Sequence, residues 1–276
     1  MGAYNFNLLK DELSLPAWLI IGAAAQIIVS FTAPPGFGFV PVAIGFCVLT
    51  LNFMAQLLGL AKNTYLKNTI LGRHTVIFPE EDGSRPEKLG DKPIAMFLVG
   101  IRSNHPIGRL HPTYRKLNHY MDELYADAEE NRATNGYLGR TPDFLPMDFS
   151  QNNTHLSISY WKTIDDLEAF ARRPVHIKAF KYLVKAQTGE KPYETGVLHE
   201  VLYCPPGHWE GIYSNVNPWG LERLKWPMPK NKSLQGPFIE HDLSIINGMW
   251  GRMGNKLKQA EVDKKAAEIE AAEAST

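Results

Sequence analysis

HLSISYWKTIDD, His155 through Asp166, is the stretch on which the fold turns. Its first seven residues alternate, with Leu156, Ile158 and Tyr160 on one side and His155, Ser157, Ser159 and Trp161 on the other. That is the two-residue period of a β-strand. Thr163 follows, then Asp165-Asp166, the signature of a helix N-cap with carboxylates in the first turn. A strand running directly into a capped helix is a unit of an α+β fold. We expect Leu156, Ile158 and Tyr160 to pack beneath the helices. The face of His155, Ser157, Ser159 and Trp161 would then either line a cavity and touch substrate or lie as a solvated sheet face, and alternation alone leaves both open.

Working outward, Ile94–Ile101 (IAMFLVGI) is a continuous apolar run, as in a buried strand. His105-Pro106-Ile107-Gly108 breaks it. Thr113–Glu130 then carries Leu117, Tyr120, Met121, Leu124, Tyr125 and Ala128 at helical spacing. Gly136–Arg140 reads as a short strand. Downstream, Pro174 opens a second helix that runs to about Lys185, Gly189 ends it, and Val197–Cys204 (VLHEVLYC) is a last strand. Strand, helix, short strand, strand, helices, strand is the order of a ferredoxin-like α+β sandwich. Its helices cover one sheet face, so the other needs a cover, which a second copy would supply.

Leu13–Ala61 runs forty-nine residues without Asp, Glu, Lys, Arg or His. One bilayer crossing takes roughly 20 apolar residues, so this is two crossings and a turn at Thr32-Ala33-Pro34-Pro35-Gly36. The expected helices are about Leu13–Phe31 and Phe37–Ala61. Asp11 and Glu12 in front, and the length of the run, exclude a signal peptide. Lys10 precedes the hairpin and Lys62, Lys67 and Arg73 follow it, which puts both termini in the cytosol, with the endoplasmic reticulum as the default membrane. The expected organisation is a cytosolic N-terminus (1–12), a two-helix transmembrane hairpin (13–61), a linker (62–92), the working domain (93–254) and a charged tail (255–276). A formal net charge of zero gives no electrostatic case for nucleic acid. The two cysteines, Cys47 in the hairpin and Cys204 in the domain, suit a reducing compartment and exclude a thiolate metal cluster. Sequons at Asn152 and Asn231 are chance matches in a cytosolic domain.

For chemistry, His176 at the start of a helix suits a general base or a metal or haem ligand, and equally a surface histidine. His199 and Glu200 are adjacent on a strand, so they point to opposite faces and cannot both reach one substrate. No dinucleotide or phosphate loop is present, and no two-histidine-one-carboxylate set stands at a recognisable spacing, so no metal site is expected.

Several blocks together resemble a known family. They are Phe97–Asn104, Gly139–Pro142, Ser159–Arg172, Pro174-Val175-His176, Gly196–Glu200 and Tyr213–Leu221. Their order and wording resemble the monooxygenase-like family of dimeric α/β-barrel proteins, relatives of the antibiotic-biosynthesis monooxygenases, over roughly 93–225. The resemblance implies a ferredoxin-like fold pairing into a homodimeric barrel. It also implies oxygenation of a small apolar molecule, often without metal or flavin, the substrate itself reducing oxygen. Membrane-anchored fungal members act in natural-product pathways, including terpenoid ones. Arg102, Asn104, His176, His199, Glu200 and Asn215 fall in the matching blocks. We expect His176 or His199 to be the base, and Arg102 with Asn104 to steady an oxygen-derived anion unless Arg102 pairs with a carboxylate such as Glu200. Two other classes compete: a haem enzyme of the aldoxime dehydratase kind, with His176 as iron ligand, and a non-catalytic carrier or adaptor for an apolar metabolite.

Overall fold

The computed structural model describes residues 15–87, 89–146, 153–229, 233–242 and 248–274. The sequons at Asn152 and Asn231, and the N-terminal segment 1–12, lie outside them. The chain divides into two units, Met1–Thr69 and Ile70–Thr276.

The first unit carries helices α1 (Leu15–Thr32) and α2 (Val40–Leu57). Gly36, at φ +85°, makes the turn between them, a conformation that glycine adopts without steric cost. Gln26 Nε2 on α1 donates to the Gly38 carbonyl at 2.5 Å, tying the helix to the turn. No side chain on α2 is buried, although Ile44, Phe46, Leu49, Leu51 and Phe53 are large and apolar. Val40–Leu57 is long and apolar enough to cross a membrane, whereas the apolar part of α1, Pro16–Thr32, is shorter.

The second unit opens on a strand, β1 (Ile70–Ile77), antiparallel to β6 (Tyr213–Val216) and β7 (Phe238–Glu240). The expected linker over 62–92 is corrected here: His74, Thr75, Val76, Ile77 and Phe78 are buried. β1 is anchored by His74, whose Nε2 lies 2.7 Å from Glu222 Oε1 with both side chains out of solvent, and whose Nδ1 meets the Gly72 carbonyl at 3.1 Å.

The main sheet holds β2 (Ile94–Ser103), β3 (Tyr137–Arg140), β4 (Thr154–Trp161) and β5 (Thr195–Cys204) in the order β3-β4-β2-β5, all antiparallel. Between β2 and β3 runs helix α3 (Pro112–Glu130), and between β4 and β5 run α4 (Ile164–Ala171) and α5 (Pro174–Gln187). This βαββαβ connectivity is the ferredoxin-like sandwich that the sequence order implies. Proline stands at the first turns of α3 and α5, where its missing N–H is not needed. Thr163 Oγ1 accepts the Asp166 N–H at 3.1 Å, so the expected cap forms. At Gly139 (φ +135°) β3 bulges against β4, and a Cβ there would meet Arg132 at 3.0 Å.

The faces of β4 are the reverse of the expectation. Register pairs Ala95 with Trp161, Phe97 with Ser159, Val99 with Ser157 and Ile101 with His155. These odd-numbered residues face the helices: Ala95 and Trp161 join Tyr120, Leu124, Ala128, Tyr137, Leu167 and Phe170 in one core cluster. The serines tolerate burial because each is hydrogen-bonded, Ser157 Oγ with Tyr125 Oη at 2.9 Å and Ser159 Oγ accepting Trp161 Nε1–H at 3.1 Å. Leu156, Ile158 and Tyr160 take the other face. There the chain supplies much of its own cover, as Phe78, Trp209, Leu224, Trp226 and Met228 pack on Ile94 and Tyr160. Leu198 and Leu202 on β5 stay exposed on that face. The tail forms a helix, Lys256–Ala274, with no buried residue.

Candidate functional site

Beneath α3 the helix-facing side of the sheet holds a polar cluster. His155 Nδ1 lies 2.9 Å from Asn118 Oδ1, and its Nε2 is 3.5 Å from Asp143. Arg140 pairs with Asp143 and lies over the Tyr125 ring, 4.3 Å from its centroid. Burial pushes the Asp143 carboxyl up, but the His155 hydrogen bond and the Arg140 charge outweigh it and hold the group below the usual carboxylate range. Asp122 is raised, by burial first and by Asp143 second. The cavity here, about 20 Å³, is water-sized. Ser157 borders it. Ser159 and Trp161 do not serve as the expected substrate contacts: both are fully buried, Trp161 in the aromatic core 4.8 Å from Phe170.

The histidine pair lies farther along the same face. His176 sits in the first turn of α5, edge-on to Phe170 at 6.1 Å. His199 on β5 lies 5.6 Å from the Phe97 ring. Burial lowers the His176 pKa below its ordinary value, and the His199 charge lowers it further. The fold thus brings within electrostatic reach two histidines that the sequence offered only as alternatives. A half-buried imidazole kept neutral beside aromatic rings is chemically a proton acceptor.

The expected anion-binding pair is elsewhere. Arg102 occupies an even-numbered position of β2, on the face opposite Phe97 and His199. Its Nε donates to Asn104 Oδ1 at 2.7 Å and its Nη1 to Thr154 Oγ1 at 3.1 Å. Asn104 Nδ2 donates to the Tyr193 carbonyl at 2.8 Å. Register sets Arg102 opposite Gly196 and Glu200 opposite Leu98, so Glu200 is no neighbour of Arg102 on the ladder. Glu200 is exposed on the face away from His199, as alternation required. Asn215 belongs to β6, where, at φ +54°, its Oδ1 accepts the Gly72 N–H at 2.9 Å and holds the β1 bulge.

At the end of the sheet the fold assembles a set that sequence spacing hides. His105 and His111 flank the turn before α3, their rings stacked at 4.2 Å, and both point Nε2 toward Glu194, at 3.9 and 3.7 Å. Glu194 immediately precedes β5, so only tertiary pairing reveals the group.

The four-stranded βαββαβ domain is of the ferredoxin-like α+β class. Residues 94–221 match the family model of monooxygenase af470-like proteins. Monooxygenase af470 of Aspergillus fumigatus is 25% identical over 215 residues, covering 78% of this chain and 76% of its own length. These matches support an oxidoreductase of the monooxygenase type. Among solved structures, the cofactor-independent oxygenase SnoaB of Streptomyces nogalater is 10% identical over 40% of this chain and 90% of its own, with a TM-score of 0.26. A dimeric ferredoxin-like protein of unknown function from Jannaschia gives 18%, 40%, 97% and 0.30 for the same quantities. An aldoxime dehydratase gives 16%, 54%, 42% and 0.40.

Proposed function

We propose that this chain is a membrane-anchored monooxygenase of small apolar molecules, natural-product intermediates of terpenoid type among them, with His176 as its general base. The observation that carries the catalytic part is the half-buried His176, its pKa lowered by burial and by the His199 charge, edge-on to Phe170 within a stretch that matches a monooxygenase family. His176 takes a proton from the substrate, and the resulting electron-rich carbon reduces oxygen. In the balanced reaction a CH₂ group becomes C=O, one oxygen atom enters the product and the other leaves as water. The substrate supplies all four electrons that reduce the oxygen molecule, so the chemistry calls for no added reductant. The apolar, unburied helices α1 and α2 support anchoring as a hairpin, with the domain in the cytosol at the endoplasmic reticulum, where an apolar substrate would partition into the adjoining lipid.

The test uses the full chain in detergent with the apolar metabolite that accumulates in cells lacking the protein. Wild type should consume oxygen and substrate together. His176→Ala should lower the rate about 10²–10⁴-fold with unchanged melting. Normal turnover by that variant would remove His176 from the mechanism.

A further inference from the structure

We propose that His105, His111 and Glu194 form a binding site for one divalent transition-metal ion of the zinc or iron(II) class. Two imidazoles and a carboxylate are the donor set such ions select, and three protein ligands leave positions open for an exogenous one. The donor atoms already lie within 4.8 Å of one another. Bonds of about 2.0–2.2 Å place neighbouring donors roughly 3 Å apart, so loading needs each side chain to move by less than a rotamer change. The three side chains are only 16–23% exposed, which limits competition from solvent. The two rings stack at 17° over the shared Glu194 carboxylate.

Glu194 also borders a cleft of about 360 Å³ with Thr113, Tyr182, Lys185 and Lys191, where a small ligand could complete the coordination shell. One local cation opposes the ion: Lys191 Nζ is 3.4 Å from Glu194 Oε1. One tautomer must also change. His105 Nδ1 now accepts the Ile107 N–H at 3.2 Å, so ligation through Nε2 moves the ring proton to Nδ1 and releases that contact.

Cobalt(II) is the probe, added to full-length chain in detergent that carries no histidine tag and has been stripped with chelator. Wild type should develop visible ligand-field bands that saturate at one equivalent per chain and bleach on adding zinc. His111→Ala and Glu194→Gln should each weaken binding about 100-fold or more, while His119→Ala, an exposed histidine on α3, should bind as wild type does. Lys191→Met should bind several-fold more tightly, a gain that no folding defect produces. Absence of saturable bands in wild type, equal affinity in the ligand variants, or no gain in Lys191→Met would overturn the site. These readouts are spectroscopic, so they stand whether or not the chain proves to be a monooxygenase.

Discussion

At the scale of single residues the account rests on His176. Its folded-state pKa lies below the ordinary histidine value of 6.5, through burial and then His199. Above pH 6.5 the ring is neutral in both folded and unfolded chains and has no effect on stability. As pH falls through 6.5 the unfolded chain binds the proton first, so stability falls with pH down to the depressed pKa. Melting of wild type should therefore drop on acidification more steeply than that of His176→Asn, and the acid limb of the rate profile should lie below pH 6.5. Parallel melting curves would remove the burial argument. Trp161 carries the opposite expectation. Trp161→Ala should cost about 3–5 kcal/mol in denaturant unfolding, as a core residue does, whereas a mere loss of substrate affinity would restore it to the binding surface. The alternation of β4 was legible in the sequence but its polarity was not. A face rich in serine and histidine reads as wet until Tyr125, Asn118 and Ser159 are seen to satisfy it.

Among the elements, the strands and helices of the βαββαβ unit were readable from apolar runs, alternation or helical spacing, with the Thr163 cap and the first-turn prolines marking the helix starts. β1 was not. Gly72 at φ +85° and the bulge between Ile70 and Arg73 break its alternation. Its partners, β6 and β7, lie far along the chain, so no local signal announces the pairing. The metal-ligand set was hidden for the same reason, since Glu194 meets His105 and His111 only once β5 docks beside β2. Glu222→Ala should leave His74 Nε2 buried without its hydrogen-bond partner and cost about 1–3 kcal/mol, measured by denaturant unfolding. A chain shortened to begin at Gly90 should aggregate for lack of β1, while one beginning at Lys62 should stay folded. A well-behaved fragment from Gly90 would return β1 to the status of linker.

For the whole molecule, the uncharged stretch and the zero net charge were plain in the sequence, and the exposed apolar helices accord with the membrane reading. Alkaline carbonate should leave the full chain in the membrane pellet; release into the supernatant would end the anchoring proposal. The chain covers part of its outer sheet face itself, which narrows the case for a partner to the surface around Leu198 and Leu202 on β5. Sedimentation of the chain beginning at Lys62 should show two copies, and a monomer at micromolar concentration would argue against the barrel. The claim on which the rest depends is that the domain puts one atom of molecular oxygen into an apolar substrate. Full-length protein incubated under ¹⁸O₂ with the metabolite that accumulates in its absence should yield, by mass spectrometry, a product carrying a single ¹⁸O atom, with no label entering from H₂¹⁸O during the reaction. A product labelled only from water, or no oxygenated product at all, would contradict it.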